Sequence, residues 1–476
     1  MTLRVYNTKS RTVEEFSPIY GNRVHMFVCG PTVYDDSHIG HARTYLAYDI
    51  IVRYLRAKGY SVFYLMNITD IDDKIINKAN ELGQDPLALA DKFRRDFLQD
   101  MRSLGIDSVS LYAKASEHIP EIIVQILTLM QKQFAYQVDG DIFFDVSRFP
   151  DYGKLSRQDI SQLIMHRIDP DTRKKNVVDF ALWKSQKPGE PAWDSPWGKG
   201  RPGWHIEDTA ITTTYLGPSY DLHGGGIDLI FPHHEAEIAQ AEATTGKQPL
   251  VKYWIHSGLL TVSGTRMGKS MSNFITIKDA LLTHEAEALR LYFAMSHYRS
   301  QLEYDETHVI QAEQVLERIR TVCSQFKNLF STATSTISSD VNTVRAIVFQ
   351  AKKEFDESMD DDFNTPRAIA SMIGFARNIE PYASDRVDKA IISEILNLFS
   401  YFGSVFGILQ AEGTVVEESF EKLVSVVLTI RDDARKRGDW KTADNIRDSL
   451  RDLGVVIEDT AQGHRWHKKP LTERSS

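Results

Sequence analysis

Cysteine is nearly absent from this chain: there are two in 476 residues, Cys29 and Cys323. Two thiols cannot build a disulfide framework, and the plain reading of both is small buried hydrophobes. Long apolar runs are absent as well. None approaches the roughly 20 residues that a membrane span needs, so no membrane partner is expected. Met1–Tyr20 carries charged and polar residues throughout and shows no signal-peptide core; the expected compartment is the cytoplasm. A surplus of basic residues is also lacking, since the formal net charge is −9. Domains that bind nucleic acid are usually basic. Phosphate contacts need only local stripes, however, and candidates stand at Arg173-Lys174-Lys175, Arg431–Arg437 and Arg465–Lys469. No internal repeat and no low-complexity tract is visible. What remains is an ordinary globular composition, 42% hydrophobic and 25% charged, over a length that suggests about three domains.

The pattern opens as α/β. Val24–Cys29 reads as a strand. Tyr45, Leu46, Ile50, Ile51, Tyr54 and Leu55 then recur at helical spacing, Gly59 is placed to end that helix, and Val62–Met66 reads as a second strand. Such a βαβ unit implies a parallel sheet with a right-handed crossover, whose ligands sit beyond the carboxyl ends of the strands. Cys29 to His41 lie at that point. Pro86–Phe134 reads as one long helical region and Val138–Lys187 as a mixed, charged segment. The α/β pattern resumes at Pro202, with strand pieces at Tyr220–Leu222, Leu229–Phe231 and Tyr253–Val262 and a helix at His233–Thr245. From Ile277 the pattern is helical almost to the end, with polar breaks at Ser331–Asp340 and near Glu412–Glu417. The last helices show two apolar faces: Phe420, Leu423, Val424, Val427 and Leu428, then Ala443, Ile446, Leu450 and Leu453.

Two short stretches carry chemistry. His38-Ile39-Gly40-His41 opens a helix after an apolar run. Its two histidines share one face of a helix N-terminus, close to backbone N–H groups that attract phosphate, and imidazoles can donate hydrogen bonds to it. Gly40 leaves room for a flat base or ribose to approach the backbone. Arg266-Met267-Gly268-Lys269-Ser270 lies in a Gly/Ser-rich loop. Lys269, flanked by Gly268, Ser270 and Ser272, joins a charge to a loop suited to movement, as a clamp on a leaving pyrophosphate requires. A third stretch, His223-Gly224-Gly225-Gly226, is poor in side chains and suits close packing against adenosine. The first two resemble the HIGH and KMSKS signatures of class I aminoacyl-tRNA synthetases, with Arg266 for the usual first lysine and Gly268 for the usual first serine. That resemblance implies adenylylation by ATP, supplied with Mg2+. It implies His38, His41 and Lys269 as catalytic residues, and Gly40, Gly224, Gly225, Gly226, Arg266, Met267, Gly268 and Ser270 around the nucleotide.

Further stretches narrow the likeness. They are Cys29-Gly30-Pro31-Thr32-Val33-Tyr34, Asn67-Ile68-Thr69-Asp70-Ile71-Asp72-Asp73-Lys74, Pro202–Glu207, Phe231–Glu235, Met359–Pro366 and Arg435–Trp466. They resemble the cysteinyl-tRNA synthetase family, and the matches run from Arg4 to Trp466. In that family a zinc ion is held by two cysteines, a histidine and a glutamate, and binds the substrate cysteine through its thiolate. Carried over, the ligands are Cys29, Asp208, His233 and Glu237, with a carboxylate in place of the second cysteine. His233 and Glu237 are i,i+4 and share a helix face. The exchange keeps the formal ligand charge, because zinc also accepts carboxylate oxygen, but it hardens the site. Shape alone separates amino acids as close as cysteine and serine by roughly 10–200-fold. A metal that demands thiolate adds to this, since a hydroxyl ionises far less readily, and no editing site is then needed. Trp204 offers an aromatic wall for the sulfur. The resemblance further implies that Asp228 holds the α-ammonium and Thr69 the substrate backbone, with Cys29 and Gly30 bordering the same pocket.

The resemblance also orders the chain. It implies a Rossmann-like parallel-sheet catalytic domain in two halves, 1–118 and 196–262, around a connective insertion at 119–195. A stem-contact region with the KMSKS-like loop follows at 263–310, then a helical bundle at 311–410 and a C-terminal anticodon-recognition module at 411–476. Arg435, Lys436, Arg437, Trp440, Arg465 and Trp466 combine cations with aromatics, which suits unpaired bases. The expected activity is ligation of L-cysteine to the 3′ end of tRNA(Cys) through cysteinyl-adenylate, by a monomer. Two other readings stay open: an ATP-dependent ligase joining cysteine to an amino-sugar, and a non-catalytic tRNA-binding paralogue.

Overall fold

The computed structural model describes residues 2–158, 172–266, 273–332, 341–383, 388–409, 424–432, 434–435, 437–452, 455–460 and 463–468. Met267, Gly268, Lys269, Ser270 and Lys436 lie outside the described residues, as do the side chains of Arg266, Arg465 and Trp466. The chain forms two compact units, Met1–Leu409 and Gln410–Ser476.

The first unit opens with an antiparallel hairpin, β1 (Arg4–Asn7) and β2 (Thr12–Glu15). Its centre is a five-stranded parallel sheet of β3 (Arg23–Val28), β4 (Ser61–Ile68), β5 (Leu111–Lys114), β10 (Tyr220–Gly226) and β11 (Val251–Ser257), in the order β11-β10-β3-β4-β5. Between β3 and β4 runs α1 (Ile39–Ala57). It starts where the His38 side chain caps it and stops at Lys58 and Gly59, the latter at φ 91°. Helices α2 (Asp73–Leu82), α3 (Pro86–Ser103) and α4 (Ile119–Gln131) follow. A four-stranded antiparallel sheet comes next, β6 (Ala135–Val138), β7 (Asp141–Phe144), β8 (Phe180–Ser185) and β9 (Gly200–Pro202). Helices α5 (Ile206–Leu216) and α6 (Glu235–Thr245) flank β10.

Alternation along β3 builds the two layers. Val24, Met26 and Val28 join the core with α1 and the helices after Ile277, while Phe27 and Cys29 join a second core with α4, α5 and α6. Cys29 thus directly follows a central strand and turns to the α5–α6 side. The strand order reverses between β3 and β10, and the crevice beyond their carboxyl ends is the ligand position of such sheets.

A buried ion pair ties the later helices to the sheet. Asp49 of α1 and Arg290 of helix Ala286–Ala294 are almost fully buried and paired. Arg290 also donates to the carbonyls of Phe406 at 2.7 Å and Leu104 at 3.0 Å. Burial alone would raise the Asp49 carboxyl; Arg290 and Arg53 outweigh it and hold it below the usual range.

Several expectations are corrected. The long helical region at Pro86–Phe134 is broken by the edge strand β5. Within the mixed, charged segment Val138–Lys187, β7 and β8 form part of an antiparallel sheet, and β6 ends at its first residue. The strand expected at Leu229–Phe231 is instead a pair of tight turns, Ile227–Leu229 and Ile230–His234, so α6 starts at Glu235 rather than His233. Tyr253–Val262 divides into β11 and a strand at Leu260–Val262. At the break a Cβ on Gly258 would lie 2.2 Å from the Ser300 carbonyl oxygen, so that close approach requires glycine. The tail is not all helical. In the second unit a helix at 424–432 and another at Trp440–Asp452 are followed by an antiparallel hairpin, Val455–Thr460 with Gly463–Lys468. Val424, Leu428, Leu450 and Val455 form its core, with Ile446 packed against them. Ser331 and Thr332 still belong to helix Glu306–Thr332; the rest of that polar break and the whole break near Glu412–Glu417 lie outside the described residues, as do Phe420, Leu423 and Leu453. No described helix is long and apolar enough to cross a membrane.

Candidate functional site

A cleft of about 620 Å³ opens at the carboxyl ends of β3, β4 and β10. His38, Gly40 and His41 line it from the start of α1, Cys29 and Gly30 from the end of β3, and Asn67 and Thr69 from β4. Trp204, Asp208, Gly226, Asp228 and His233 close the other side.

The two histidines of α1 stack with ring centroids 3.8 Å apart. His38 Nδ1 accepts the Gly40 N–H at 3.1 Å, and His41 Nδ1 accepts the His38 N–H at 3.4 Å. A nitrogen that accepts carries no proton, so in each neutral ring the proton resides on Nε2. Burial, and then His38, keep the His41 imidazole well below its ordinary pKa. His41 therefore presents a neutral N–H donor, with His38 stacked against it.

Of the three successive glycines, Gly226 lines the cleft and the other two stand behind it. A Cβ on Gly224 would meet the Tyr48 ring at 2.5 Å, and one on Gly225 the His234 ring at 2.9 Å. Those two positions need glycine for packing against Tyr48 and His234. Gly30 is fixed in the same way, because a Cβ there would lie 1.7 Å from the Asn67 carbonyl oxygen.

Deeper in the cleft lies a buried cluster. Ligand atoms of Cys29, Asp208, His233 and Glu237 all fall within 4.8 Å of one another. Asp208 is in the first turn of α5 and Glu237 in the first turn of α6; His233 lies in the turn just before α6. His233 Nε2 is 2.8 Å from Asp208 Oδ2 and 3.1 Å from Glu237 Oε1. Cys29 Sγ is 3.8 Å from Asp208 Oδ2 and 3.7 Å from Glu237 Oε1. A second set, Cys29, His223, His234 and Glu237, meets the same distance limit. It is the less accessible, since Cys29, Asp208 and His233 line the cleft whereas His223 and His234 are fully buried behind it.

The charge pattern of this cluster is unusual. Among the described residues no lysine or arginine pairs with Asp208, Glu207 or Glu237; Asp208 and Glu237 face histidines, and Glu207 accepts from Thr69. Burial, with Glu237 and Asp208 close by, pushes the Cys29 thiol well up. Burial and Asp208 likewise raise the Glu207 and Glu237 carboxyls. Glu237 Oε2 is buried and makes no hydrogen bond, its nearest polar neighbour being His223 Nε2 at 3.4 Å. A soft sulfur, an imidazole and two carboxylates with an orphaned oxygen form a donor set that fits a divalent cation. Zinc bonds of about 2.0–2.3 Å place tetrahedral ligands roughly 3.3–3.8 Å apart; the two edges to Cys29 Sγ, 3.8 and 3.7 Å, match, and the two to His233 Nε2, 2.8 and 3.1 Å, are shorter.

A ring of histidines surrounds the cluster, and sequence reasoning assigned none of it. His205 Nδ1 is 2.8 Å from His233 Nδ1, His234 Nδ1 is 2.8 Å from His256 Nε2, and Tyr220 OH is 2.7 Å from His223 Nδ1. Cys29 Sγ is 3.2 Å from His234 Nε2. Such partners fix which ring nitrogen faces a metal. Trp204 stacks on His233 with centroids 4.6 Å apart and is 37% exposed, so it walls the cleft side of the cluster. Lys74, another unassigned lining residue, places its ammonium 5.6 Å from the Tyr34 ring. In the second unit Trp440 is exposed and Arg435 lies 5.9 Å over its ring.

Comparison with known proteins matches this architecture. Residues 15–314 fit the model of the class I (C) tRNA synthetase catalytic domain, residues 354–410 the DALR domain, and residues 419–466 the cysteinyl-tRNA ligase anticodon binding domain. The chain is 43% identical over 480 residues to the cysteine–tRNA ligase of Heliobacterium modesticaldum, covering 98% of this chain and 100% of that one. It is 44% identical over 474 residues to the one from Thermococcus gammatolerans, covering 98% and 99%. Among solved structures it shares its fold with Mycobacterium tuberculosis methionyl-tRNA synthetase in complex with methionyl-adenylate, at TM-score 0.59 and 16% identity over 81% of this chain and 89% of that one. It also resembles an Agrobacterium radiobacter LeuRS in a ternary complex with tRNA, at TM-score 0.61 and 11% identity over 82% and 85%. A full-length likeness at this level, on a class I synthetase fold with a helical carboxyl-terminal half, places the chain in the cysteine–tRNA ligase family of class I aminoacyl-tRNA synthetases.

Proposed function

We propose that the chain activates L-cysteine with ATP and transfers it to the 3′ end of tRNA(Cys), and that it selects cysteine at a single divalent metal, zinc, held by Cys29, Asp208, His233 and Glu237. The observation that carries this reading is the sharing of one cleft by His38, His41 and the buried cluster of Cys29, Asp208 and His233. A nucleotide donor face and a thiol-selective donor set then lie on either side of one reacting carboxyl.

His38 and His41 offer Nε2–H donors to the phosphates, and the neutrality of His41 avoids a fixed charge that would bind ATP and transition state alike. Lys269 neutralises the departing pyrophosphate. Thr69 and Asp228 line the same cleft and orient the substrate backbone and ammonium. When bound, zinc supplies a Lewis acid that favours the thiolate over an alcohol. Asp208 and Glu237 provide the negative charge that holds the cation, and Trp204 screens the sulfur from water. In the unit after Gln410, Arg435, Lys436, Arg437, Trp440, Arg465 and Trp466 engage tRNA by charge and stacking.

The test is ATP–pyrophosphate exchange driven by cysteine and by serine, run beside tRNA charging. The reading expects cysteine to exceed serine by well beyond the roughly 200-fold that shape allows, and Lys269→Ala to slow exchange with cysteine binding retained. Equal exchange with both amino acids, or an unchanged Lys269→Ala, removes it.

A further inference from the structure

Asn67, near the carboxyl end of β4, is 1% exposed and hydrogen-bonds on both ends of its carboxamide. The Gly30 N–H donates to Asn67 Oδ1 at 2.6 Å. A backbone amide can only donate, so the oxygen must face Gly30 and the Nδ2 nitrogen must face away from it. Nδ2 then donates to Asp208 Oδ1 at 2.5 Å and to Thr69 Oγ1 at 3.2 Å. Thr69 Oγ1 can accept this contact because its own proton goes to Glu207.

Asp208 is divided by this arrangement. Oδ1 is occupied by the Asn67 amide, while Oδ2 faces the cluster, 2.8 Å from His233 Nε2 and 3.8 Å from Cys29 Sγ. A carboxylate differs from a thiolate in having two donor atoms and the freedom to pivot between one- and two-oxygen binding. A donor clamped on one oxygen removes that freedom. Gly30 in turn fixes the clamp, since the two backbones approach too closely for any other residue.

We propose that Asn67 is a positioning residue that makes Asp208 a one-oxygen metal ligand. The inference rests on the metal reading above and goes beyond it, because it explains how a carboxylate serves where the family's second cysteine would stand. A thiolate at 208 has one donor atom and needs no such partner. The role of Asn67 should therefore vanish when residue 208 is cysteine.

The experiment is a double-mutant cycle on the full-length chain. Zinc alone is the probe, and its affinity is read by competition with a chromophoric chelator. Asn67→Ala and Asn67→Ser should each weaken zinc by about 10–100-fold in the wild-type background, the usual effect of losing an outer partner. In the Asp208→Cys background the same changes should cost less than about threefold, an interaction that the cycle isolates. Equal losses in both backgrounds overturn the proposal, because they mark Asn67 as structural only. No loss in either overturns it too. Failure of both variants to fold in both backgrounds also counts against it, since the assigned role exists only beside a carboxylate. A wild-type chain that binds no zinc overturns the metal reading itself, which separates the two failures.

Discussion

The imidazoles of His38 and His41 lie face to face, 17° from parallel, and each has given its Nδ1 to a backbone N–H at the start of α1. Their orientation is thus set by the helix cap before any ligand arrives. On the proposed role, replacing either by alanine removes one phosphate donor. The expected cost is about 100–1,000-fold in adenylate formation, as for other preorganised donors, with little change in cysteine binding. ATP–pyrophosphate exchange and a cysteine-binding isotherm check the two halves of that statement.

The Asp49–Arg290 pair predicts a stability effect far from the chemistry. Both side chains are buried, so Asp49→Ala leaves an uncompensated guanidinium. A loss of about 3–5 kcal/mol is expected, read as a lower midpoint in urea. Arg290→Met with Asp49→Leu should be milder than either single loss, because no charge is then stranded.

Acid should destabilise the fold early. Burial drives the His256 imidazole down to about 3, and His41 is lowered in the same direction. A group with a depressed folded pKa leaves stability intact above its unfolded value, near 6.5, and loses it as pH falls toward the folded value. For His256 the loss between about pH 6.5 and pH 5 is on the order of 2 kcal/mol. The thermal midpoint should fall over that window, and His256→Gln should flatten the slope. A midpoint that stays level from pH 7 to 5 contradicts it.

The division of the chain at Leu409 predicts separable half-reactions. Removing Gln410–Ser476 should abolish charging of tRNA and leave cysteine activation within about twofold, since every lining residue of the cleft precedes the cut. Equal loss of both reactions makes the tail a structural element rather than a recognition module.

The parts that were legible in the sequence have a physical pattern. β3, α1 and β4 were readable because a continuous apolar strand, a helical apolar stripe and a glycine stop agree locally. Edge strand β5 was not, because three half-buried residues and one buried alanine carry too little alternation to outweigh the helical segments on either side. The sheet from β6 to β9 escaped for a related reason: β9 lies within three residues of Trp204 and joins β8 only after a long polar excursion. The hairpin at the end of the tail follows a helix whose pattern dominates its neighbours. Within the site, Cys29, Asp208, His233 and Glu237 could be named from their resemblance to a family, and the i,i+4 spacing placed the last two together. The histidine ring and Asn67 could not be found that way, since His205, His223, His234 and His256 converge from four separate elements only after the sheet is assembled. The doublet His233-His234 and the motifs that contain His205 and His223 mark three of these histidines in the sequence, but not their convergence.

The central claim is that Asp208, where the family's pattern has cysteine, completes a metal site that selects a thiol. Metal analysis of the purified full-length protein, beside Asp208→Ala prepared identically, tests it most directly. The account predicts close to one zinc per wild-type chain, and in Asp208→Ala the loss of that zinc together with cysteine-over-serine selectivity in the exchange reaction. A metal-free wild-type protein, with Asp208→Ala activating cysteine as well as the parent, would contradict it and leave thiol selection to Trp204 and the shape of the cleft.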